Sequence, residues 1–293
     1  MAPNVSPTLQ EPFAQLPLEI VWAIVTIAAR NSISTGNRQW VAQSLSVVCK
    51  VFRDAAEPVL VESVWIWREN RAKIDGVRPG RFARTKHLYI DENSHWRPEG
   101  FLEGFPFPSL EALTGTIFGL QNIVLAPCDF PPRLTLHSVE AWSLVGIEVP
   151  RIDSLCGVTH LRLNNYVPQM CPLELLPATV THLILTPARW PRSNTGWSDG
   201  TTTVELEDQI ARILSNSRLR LARVLICLSD MRRDNAIRVM AHMRRSFAAS
   251  SCDARLWVDE ACEDGLSSAQ KELLDPAQTV IWYTGHPLHA QSP

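Results

Sequence analysis

The hexapeptide Val158-Thr159-His160-Leu161-Arg162-Leu163 decides the fold, because the chain repeats it 22 residues later as Val180-Thr181-His182-Leu183-Ile184-Leu185. In both copies apolar side chains alternate with other residues, which predicts β-strands with one face buried. Looser copies predict further strands at residues 86–90, 121–125, 138–141 and 223–226. We therefore expect a sheet assembled from repeated strands.

A repeat of about 20–29 residues with an L-x-x-L-x-L core is typical of leucine-rich repeats, which stack parallel strands into a solenoid. The pattern therefore predicts an α/β fold with a mostly parallel sheet. The usual repeat places Asn or Cys three residues after its last leucine, but Tyr166 and Ala188 occupy those positions here. The looser copies are also unevenly spaced, so we expect a short, irregular, leucine-rich-repeat-like solenoid.

The N-terminal part of the chain has helical patterning. Ile20, Val21, Ile24 and Ile27 recur at helical spacing behind Pro17, a residue suited to the first turn of a helix. The polar run 31–38 ends this helix. A second helix is predicted from about 40 to 56, with one apolar stripe of Val41, Leu45, Val48 and Phe52.

The rest of the chain divides into short elements. The run 59–66 predicts a first strand, residues 204–215 and 233–249 predict helices, and 254–259 and 279–283 predict the last strands. A long polar loop is expected at 190–203. We predict four regions: a disordered tail at 1–12, a helical module at 13–58, a repeat domain at 59–285 and a second tail at 286–293.

The helical module resembles the F-box, a short helical family that opens with Leu-Pro and an acidic residue. Its opening here is Leu16-Pro17-Leu18-Glu19-Ile20, and its closing helix carries Val48-Cys49-Lys50-Val51-Phe52-Arg53. The stretch 56–60 looks like the link into a first repeat strand in fungal F-box-like proteins. The polar insert 31–38 departs from the pattern, because many family members are shorter there.

The resemblance implies that the module docks on a Skp-type adaptor inside a cullin ubiquitin ligase, while the repeats select a protein substrate. A helical pair this short cannot face all its apolar side chains into its own small core. The expected adaptor-binding residues are Leu16, Pro17, Ile20, Trp22, Ile24, Val48 and Phe52. The alternative is that these side chains only pack against the strands that follow.

The charge balance and the cysteines limit the partners and the location. With 28 basic and 30 acidic side chains, the chain has a net charge of -2, so nucleic acid is not an expected partner. The longest apolar run, 16–29, is shorter than the roughly 20 residues that cross a bilayer, so no membrane is expected. Seven cysteines without C-x-x-C spacing favour reduced thiols in the cytoplasm or nucleus.

The sequence contains no G-x-S-x-G, P-loop, G-x-G-x-x-G or H-E-x-x-H motif, so we expect neither an enzyme nor a cofactor or metal site. The acidic cluster 259–264 reads as a solvated loop. Eight arginines between 218 and 245 read as a solvated face, with an acidic or phosphorylated substrate as the alternative. Two rival functions stay open: a repeat scaffold without ligase association, and an enzyme with an unrecognised site.

The repeat register predicts where a substrate binds. Residues between the leucines form columns across one face, so His160 and His182 should be neighbours, with Asn122, Ser138, His87 and Arg223 in the same column. An exposed polar ladder is the simplest interpretation of the histidines, with metal binding or pH sensing as alternatives. Tryptophan and arginine often anchor interfaces. The expected substrate-binding residues are Trp142, His160, Arg162, His182 and Ile184.

Overall fold

The computed structural model describes residues 16–67, 69–70, 81–90, 109–116, 130–137, 155–168, 173–187, 199–228, 231, 233–249, 253–259 and 281–288. Over these residues the protein is α/β, with five α-helices and a mostly parallel sheet of nine strands. The chain divides into two compact units, Met1–Glu62 and Ser63–Pro293. The expected tail at 1–12 lies outside the described residues.

The first unit is helical. It contains α1 (Leu18–Ser34), α2 (Arg38–Gln43) and α3 (Lys50–Glu62), with a 3-10 turn at Leu45–Val47 between the last two. The buried stripe of α1 is Val21, Val25 and Ala29, at the four-residue spacing that keeps side chains on one helix face. The core that receives this stripe is formed by Val41, Leu45, Ala55, Ala56 and Val59.

The predicted second helix at 40–56 is wrong as a continuous element. Ser46 Oγ donates a hydrogen bond to the carbonyl of Ala42 at 2.7 Å, and such local side-chain bonds compete with helix continuation. The chain turns between α2 and α3, which moves Val48 out of the buried stripe and into solvent.

The first strand begins later than expected. Helix α3 continues through Pro58 to Glu62, so the strand predicted at 59–66 covers only Ser63–Ile66. Val59 is buried in the helical core, and this packing overrides its preference for β-structure. The helical region therefore ends at 62 and not at 58.

The second unit contains the sheet. Its strands are β1 (Ser63–Ile66), β2 (His87–Ile90), β3 (Ala112–Thr116), β4 (Arg133–His137), β5 (His160–Tyr166), β6 (His182–Pro187), β7 (Arg223–Cys227), β8 (Leu256–Asp259) and β9 (His286–Pro287). Spatial order follows chain order. Every neighbouring pair from β1 to β8 is parallel, and only β9 is antiparallel to its neighbour β8.

The predicted register of the repeated hexapeptide is confirmed. His160 pairs with His182, and Leu161 pairs with Leu183. The same register runs through eight buried core positions, namely Val64, Leu88, Leu113, Leu134, Leu161, Leu183, Val224 and Leu256. Successive members of this column are 24, 25, 21, 27, 22, 41 and 32 residues apart.

The strands begin with a recurring hydrogen-bond pattern. The N–H groups of Thr159 and His160 both donate to the Pro132 carbonyl, and those of Thr181 and His182 both donate to the Thr159 carbonyl. The Lys86 and Thr181 carbonyls each accept two consecutive N–H groups in the same way. One local geometry is therefore repeated along the sheet.

Two strands differ from the predicted ones. The places between β2 and β5 are taken by β3 and β4, whereas the strands predicted at 121–125 and 138–141 lie outside the described residues. The strands expected at 86–90 and 223–226 correspond to β2 and β7, and that at 254–259 to β8. The alignment of Asn122 and Ser138 beside His160 is wrong, because its partner on β4 is Arg133.

Two helices accompany the later strands: α4 (Asp199–Ser215) and α5 (Arg233–Ala249). Helix α4 begins inside the stretch expected to be loop. Tyr166, at the position where Asn or Cys is usual, donates its hydroxyl hydrogen to Gln209 Oε1, and Gln209 Nε2 donates to the Pro168 carbonyl. This bridge ties the end of β5 to α4.

The described residues 281–288 differ from the prediction. Of the strand expected at 279–283, residues 279–280 lie outside the described residues and Ile281–Tyr283 form a 3-10 turn, while the pairing segment is β9, beyond the predicted boundary at 285. Gly285 allows the switch because its φ is +83°. An added Cβ there would lie 2.5 Å from the Val258 carbonyl oxygen. Residues 286–288 therefore belong to the sheet unit, with Leu288 buried.

Candidate functional site

The first helix exposes an apolar surface. Leu16, Leu18, Ile20, Trp22, Ile24 and Ile27 are exposed, and we define the α1 surface as Ile20, Ile24 and Ile27, which share one side of the helix. These three isoleucines are 47%, 44% and 58% exposed, respectively. Their spacing places them opposite the buried stripe that starts at Val21. Helix α1 is therefore apolar on the face that its own core does not cover.

Other apolar residues of the same unit are also exposed. Trp40, Val47 and Val48 each present a large part of their side chains to solvent. Monomeric proteins seldom expose many large apolar side chains together, so such a concentration indicates an interaction site.

The structure separates the predicted adaptor residues into two groups. Leu16, Pro17, Ile20, Trp22, Ile24 and Val48 are exposed. Phe52 is partly buried and packs against the helical core. The exposed residues Leu18, Ile27, Trp40 and Val47 are not in the predicted set, although Leu18 and Ile27 lie in the same apolar run.

The second candidate site lies on the sheet. Its centre is the pair His160 and His182, whose rings stack with centroids 4.3 Å apart and an interplanar angle of 6°. The register places Arg133 beside His160 and Arg223 beside His182. The observed column is His87, Ala112, Arg133, His160, His182 and Arg223.

Each histidine is oriented by the residue before it. Thr159 Oγ1 lies 2.9 Å from His160 Nδ1, and Thr181 Oγ1 lies 2.9 Å from His182 Nδ1. The same hydroxyls also lie 3.2 Å from the carbonyl oxygens of Pro132 and Thr159, respectively. The repeated Thr-His dipeptide thus fixes both rings in the same orientation.

The surroundings of both histidines favour their neutral forms. Burial, followed by the charges of His182 and Arg133, lowers the pKa of His160 from 6.5 to about 4. Burial and Arg223 also lower the pKa of His182. A switch near neutral pH, one of the alternatives from the sequence, does not agree with these directions.

The geometry also disfavours a metal site at this pair. Two parallel rings with equivalent Nδ1 contacts direct their Nε2 atoms side by side, so these atoms do not converge on one ion. Among the described residues, no group of three or more His, Cys, Asp or Glu side chains is placed to hold a metal.

The predicted exposure of the substrate residues is wrong for two of them. Arg162 is 0% exposed, and Ile184 is buried as well. His160 and His182 are partly exposed, and Trp142 lies outside the described residues. Arg162 and Ile184 are paired neighbours on the same column of β5 and β6, so this column is covered. Of the predicted set, the two histidines are the described members that solvent reaches.

A C-terminal segment covers part of this face. We define the strap as residues 281–288. Trp282 packs with Ile184, Leu225 and Cys227, and its ring meets the His160 ring edge-to-face with centroids 5.0 Å apart. Tyr283 approaches His182 in the same way at 6.0 Å. The apolar run Ile281-Trp282-Tyr283 predicts a buried segment, but nothing in the sequence predicts that this segment packs on β5–β7.

The arginines between 218 and 245 do not form one cluster. Arg218 and Arg220 lie in a loop, Arg223 lies on β7, and several others lie on α5. Arg223 is occupied: its guanidinium carbon is 3.8 Å from the Trp257 ring centroid, and Nη2 donates to the Thr284 carbonyl. The dispersal favours a solvated face over a single anion site.

Comparison with known proteins adds no relative: no protein-family model, no curated protein and no solved structure matches the chain. Within the described part of the chain, every helix is too short or too polar to cross a membrane.

Proposed function

We propose that this protein is a non-catalytic substrate-recognition subunit of a Skp-cullin-F-box ubiquitin ligase, with an F-box-like N-terminal unit and a leucine-rich-repeat-like sheet unit. In this role the first unit binds the Skp-type adaptor and the second brings a protein substrate near the ligase. The observation that carries the proposal is the α1 surface. A small unit with its own core exposes apolar side chains on the segment that resembles the F-box opening.

Burial energetics support docking through this surface. Fully burying an isoleucine side chain contributes about 1.5–3 kcal/mol relative to leaving it in water. Ile20, Ile24 and Ile27 lie on one side of α1 and are available for such burial. A partner that covers this helix face would gain several such contributions, while the buried stripe of α1 keeps the unit folded.

The repeat geometry supports the second part of the proposal. Five of the spacings between core positions, from Val64 to Leu183, fall between 21 and 27 residues, within the range typical of leucine-rich repeats. Parallel neighbours in chain order are what a solenoid requires. The longer spacings after Leu183 accommodate α4 and α5.

The rival proposal is a repeat scaffold that does not associate with a ligase. It predicts the same sheet but gives the α1 surface no Skp-type partner. The two proposals are distinguished by titrating purified full-length chain with purified Skp-type adaptor in a calorimeter. We expect a one-to-one complex with a negative heat-capacity change, the marker of apolar burial. Absence of binding between two folded proteins would favour the scaffold.

A further inference from the structure

The strap connects the sheet face to the edge of the sheet. At its start Trp282 is 2% exposed against Ile184, Leu225 and Cys227. At its end β9 pairs antiparallel with β8, and the Leu288 N–H donates to the Leu256 carbonyl at 3.0 Å. The strap therefore contacts the sheet in two ways, through a 3-10 turn that carries two aromatic side chains and through the short edge strand β9.

The contacts of the strap are those of a peptide ligand. One aromatic side chain enters an apolar site, a second lies over His182, and a backbone carbonyl accepts from the Arg223 guanidinium. Backbone hydrogen bonds at the sheet edge add affinity without side-chain specificity, as in strand-addition complexes. The face of β5–β7 thus binds aromatic side chains and a backbone carbonyl of the strap, and a peptide with the same groups would fit the same contacts.

The fit of the strap is incomplete. Among the described residues, no acceptor lies within hydrogen-bonding distance of the Trp282 indole Nε1–H, although this atom is buried. A buried donor left unpaired costs about 1–3 kcal/mol. Tyr283 remains 65% exposed, and β9 contributes only two residues to the sheet. These features indicate a covering that a better ligand can displace.

We propose that the face lined by His160, His182, Ile184, Leu225 and Cys227 is a peptide-docking groove that the strap occupies in the free chain. The partner is a short peptide segment of another protein that presents a tryptophan or similar aromatic side chain to the Trp282 site, as the 3-10 turn of the strap does. The identification of this partner as a ligase substrate rests on the proposed function. The existence of the groove does not depend on that function.

The test uses the full-length chain and a fluorescent peptide spanning residues 278–290 of the same sequence. The substitution Trp282→Ala removes the anchor that holds the strap in its site. We expect the Trp282→Ala chain to bind the peptide at least about tenfold more tightly than the wild-type chain, measured by fluorescence anisotropy. A peptide in which the tryptophan is replaced by alanine should not bind.

Two control variants accompany the test. Ile237→Ala, at an exposed position on α5, should bind the peptide as weakly as the wild type does. Trp282→Phe, which keeps a smaller ring, should give intermediate affinity. Equal binding to wild-type and Trp282→Ala chains, or no binding to a folded Trp282→Ala chain, would overturn the groove. Failure of both Trp282 variants to fold would also overturn it, because the side chain would then be part of the core. Adaptor capture is measured separately, so the two proposals fail independently.

Discussion

His160 and His182 stack face to face with their ring centroids 4.3 Å apart, although 22 residues separate them in the chain. Each ring is held by the hydroxyl of the preceding threonine, and the two residues are paired neighbours on β5 and β6. Identical local sequence at the repeat spacing therefore produces identical local geometry on adjacent strands. Trp282 and Tyr283 cover this pair from the strap.

Acidification should destabilise the sheet unit through His160. Its pKa is lowered to about 4 in the folded chain, against an ordinary value near 6.5. The unfolded chain therefore binds more protons, so this contribution is complete above about pH 6.5 and is lost as the pH falls towards 4. The full shift corresponds to about 3 kcal/mol, and screening of the half-exposed ring reduces our expectation to about 1 kcal/mol.

The measurement is urea unfolding at pH 7, 5.5 and 4.5 for the wild type and for His160→Gln. The groups that face His160 are His182, Arg133 and the uncharged Trp282, so the variant removes the central titrating ring of this set. We expect His160→Gln to lose less stability over this range. If the free energy of unfolding falls equally with pH in both proteins, His160 does not cause the loss of stability in acid.

The leucine column should behave as one coupled core. Leu161 and Leu183 are paired across β5 and β6 and are both buried. Each single change to alanine should cost about 2–5 kcal/mol of unfolding free energy. The double variant should deviate from additivity by at least about 0.5 kcal/mol, because the two residues occupy neighbouring positions in one core. Additive costs in a double-mutant cycle would argue against direct packing.

These core positions were predictable because successive side chains of a strand point to opposite faces of the sheet, so the leucines of the repeat share one face. The same rule could not place β3 and β4, because Ala112-Leu113-Thr114-Gly115-Thr116 is a weak apolar pattern and several competing runs lie nearby. The segment Arg133-Leu134-Thr135-Leu136 does carry the Leu-x-Leu signal. With Leu113 and Leu134 the spacings from Leu88 to Leu161 are 25, 21 and 27 residues, all within the range of leucine-rich repeats, whereas the predicted strands at 121–125 and 138–141 give 35, 16 and 22.

Gly285→Ala should loosen the strap. The backbone at this position is left-handed, with φ +83°, and the new Cβ would meet the Val258 carbonyl oxygen. Left-handed strain costs about 1–2 kcal/mol for a residue with a side chain, before the clash is relieved. We expect the tryptophan fluorescence of the variant to shift to longer wavelength, because the Trp282 side chain becomes more exposed to solvent. An unchanged spectrum and unchanged stability would mean that the turn tolerates a side chain.

Glu207 should join α4 to α5. Its Oε2 accepts from Ser246 Oγ at 2.8 Å and lies 3.1 Å from His242 Nε2, and the residue is buried. Glu207→Ala leaves the Ser246 hydroxyl without this acceptor and removes the carboxylate beside His242, and it should cost about 1–3 kcal/mol. Ser246→Ala should cost about 1 kcal/mol in the same denaturation experiment. Equal stability of all three proteins would show that the cluster does not hold the helices together.

The two candidate sites differ in how well sequence could predict them. The exposure of apolar residues on α1 could be predicted, because a short helical module that is apolar on more than one helix face cannot bury all of these side chains in its own core. The sheet face was only half predictable. The register of His160 was clear, but the burial of Arg162 and Ile184 is a property of the tertiary structure, in which Trp282 of the strap packs against Ile184.

Adaptor binding by a paired variant tests the central claim most directly. Ile20→Ser combined with Ile24→Ser changes two exposed residues, so the free energy of unfolding should stay within about 0.5 kcal/mol of the wild type. Loss of two buried isoleucines at the interface should weaken binding of the Skp-type adaptor by about a hundredfold or more. Ile237→Ser, an exposed change on α5, should bind as the wild type does. A folded paired variant that binds the adaptor with wild-type affinity would show that the α1 surface does not bind the adaptor.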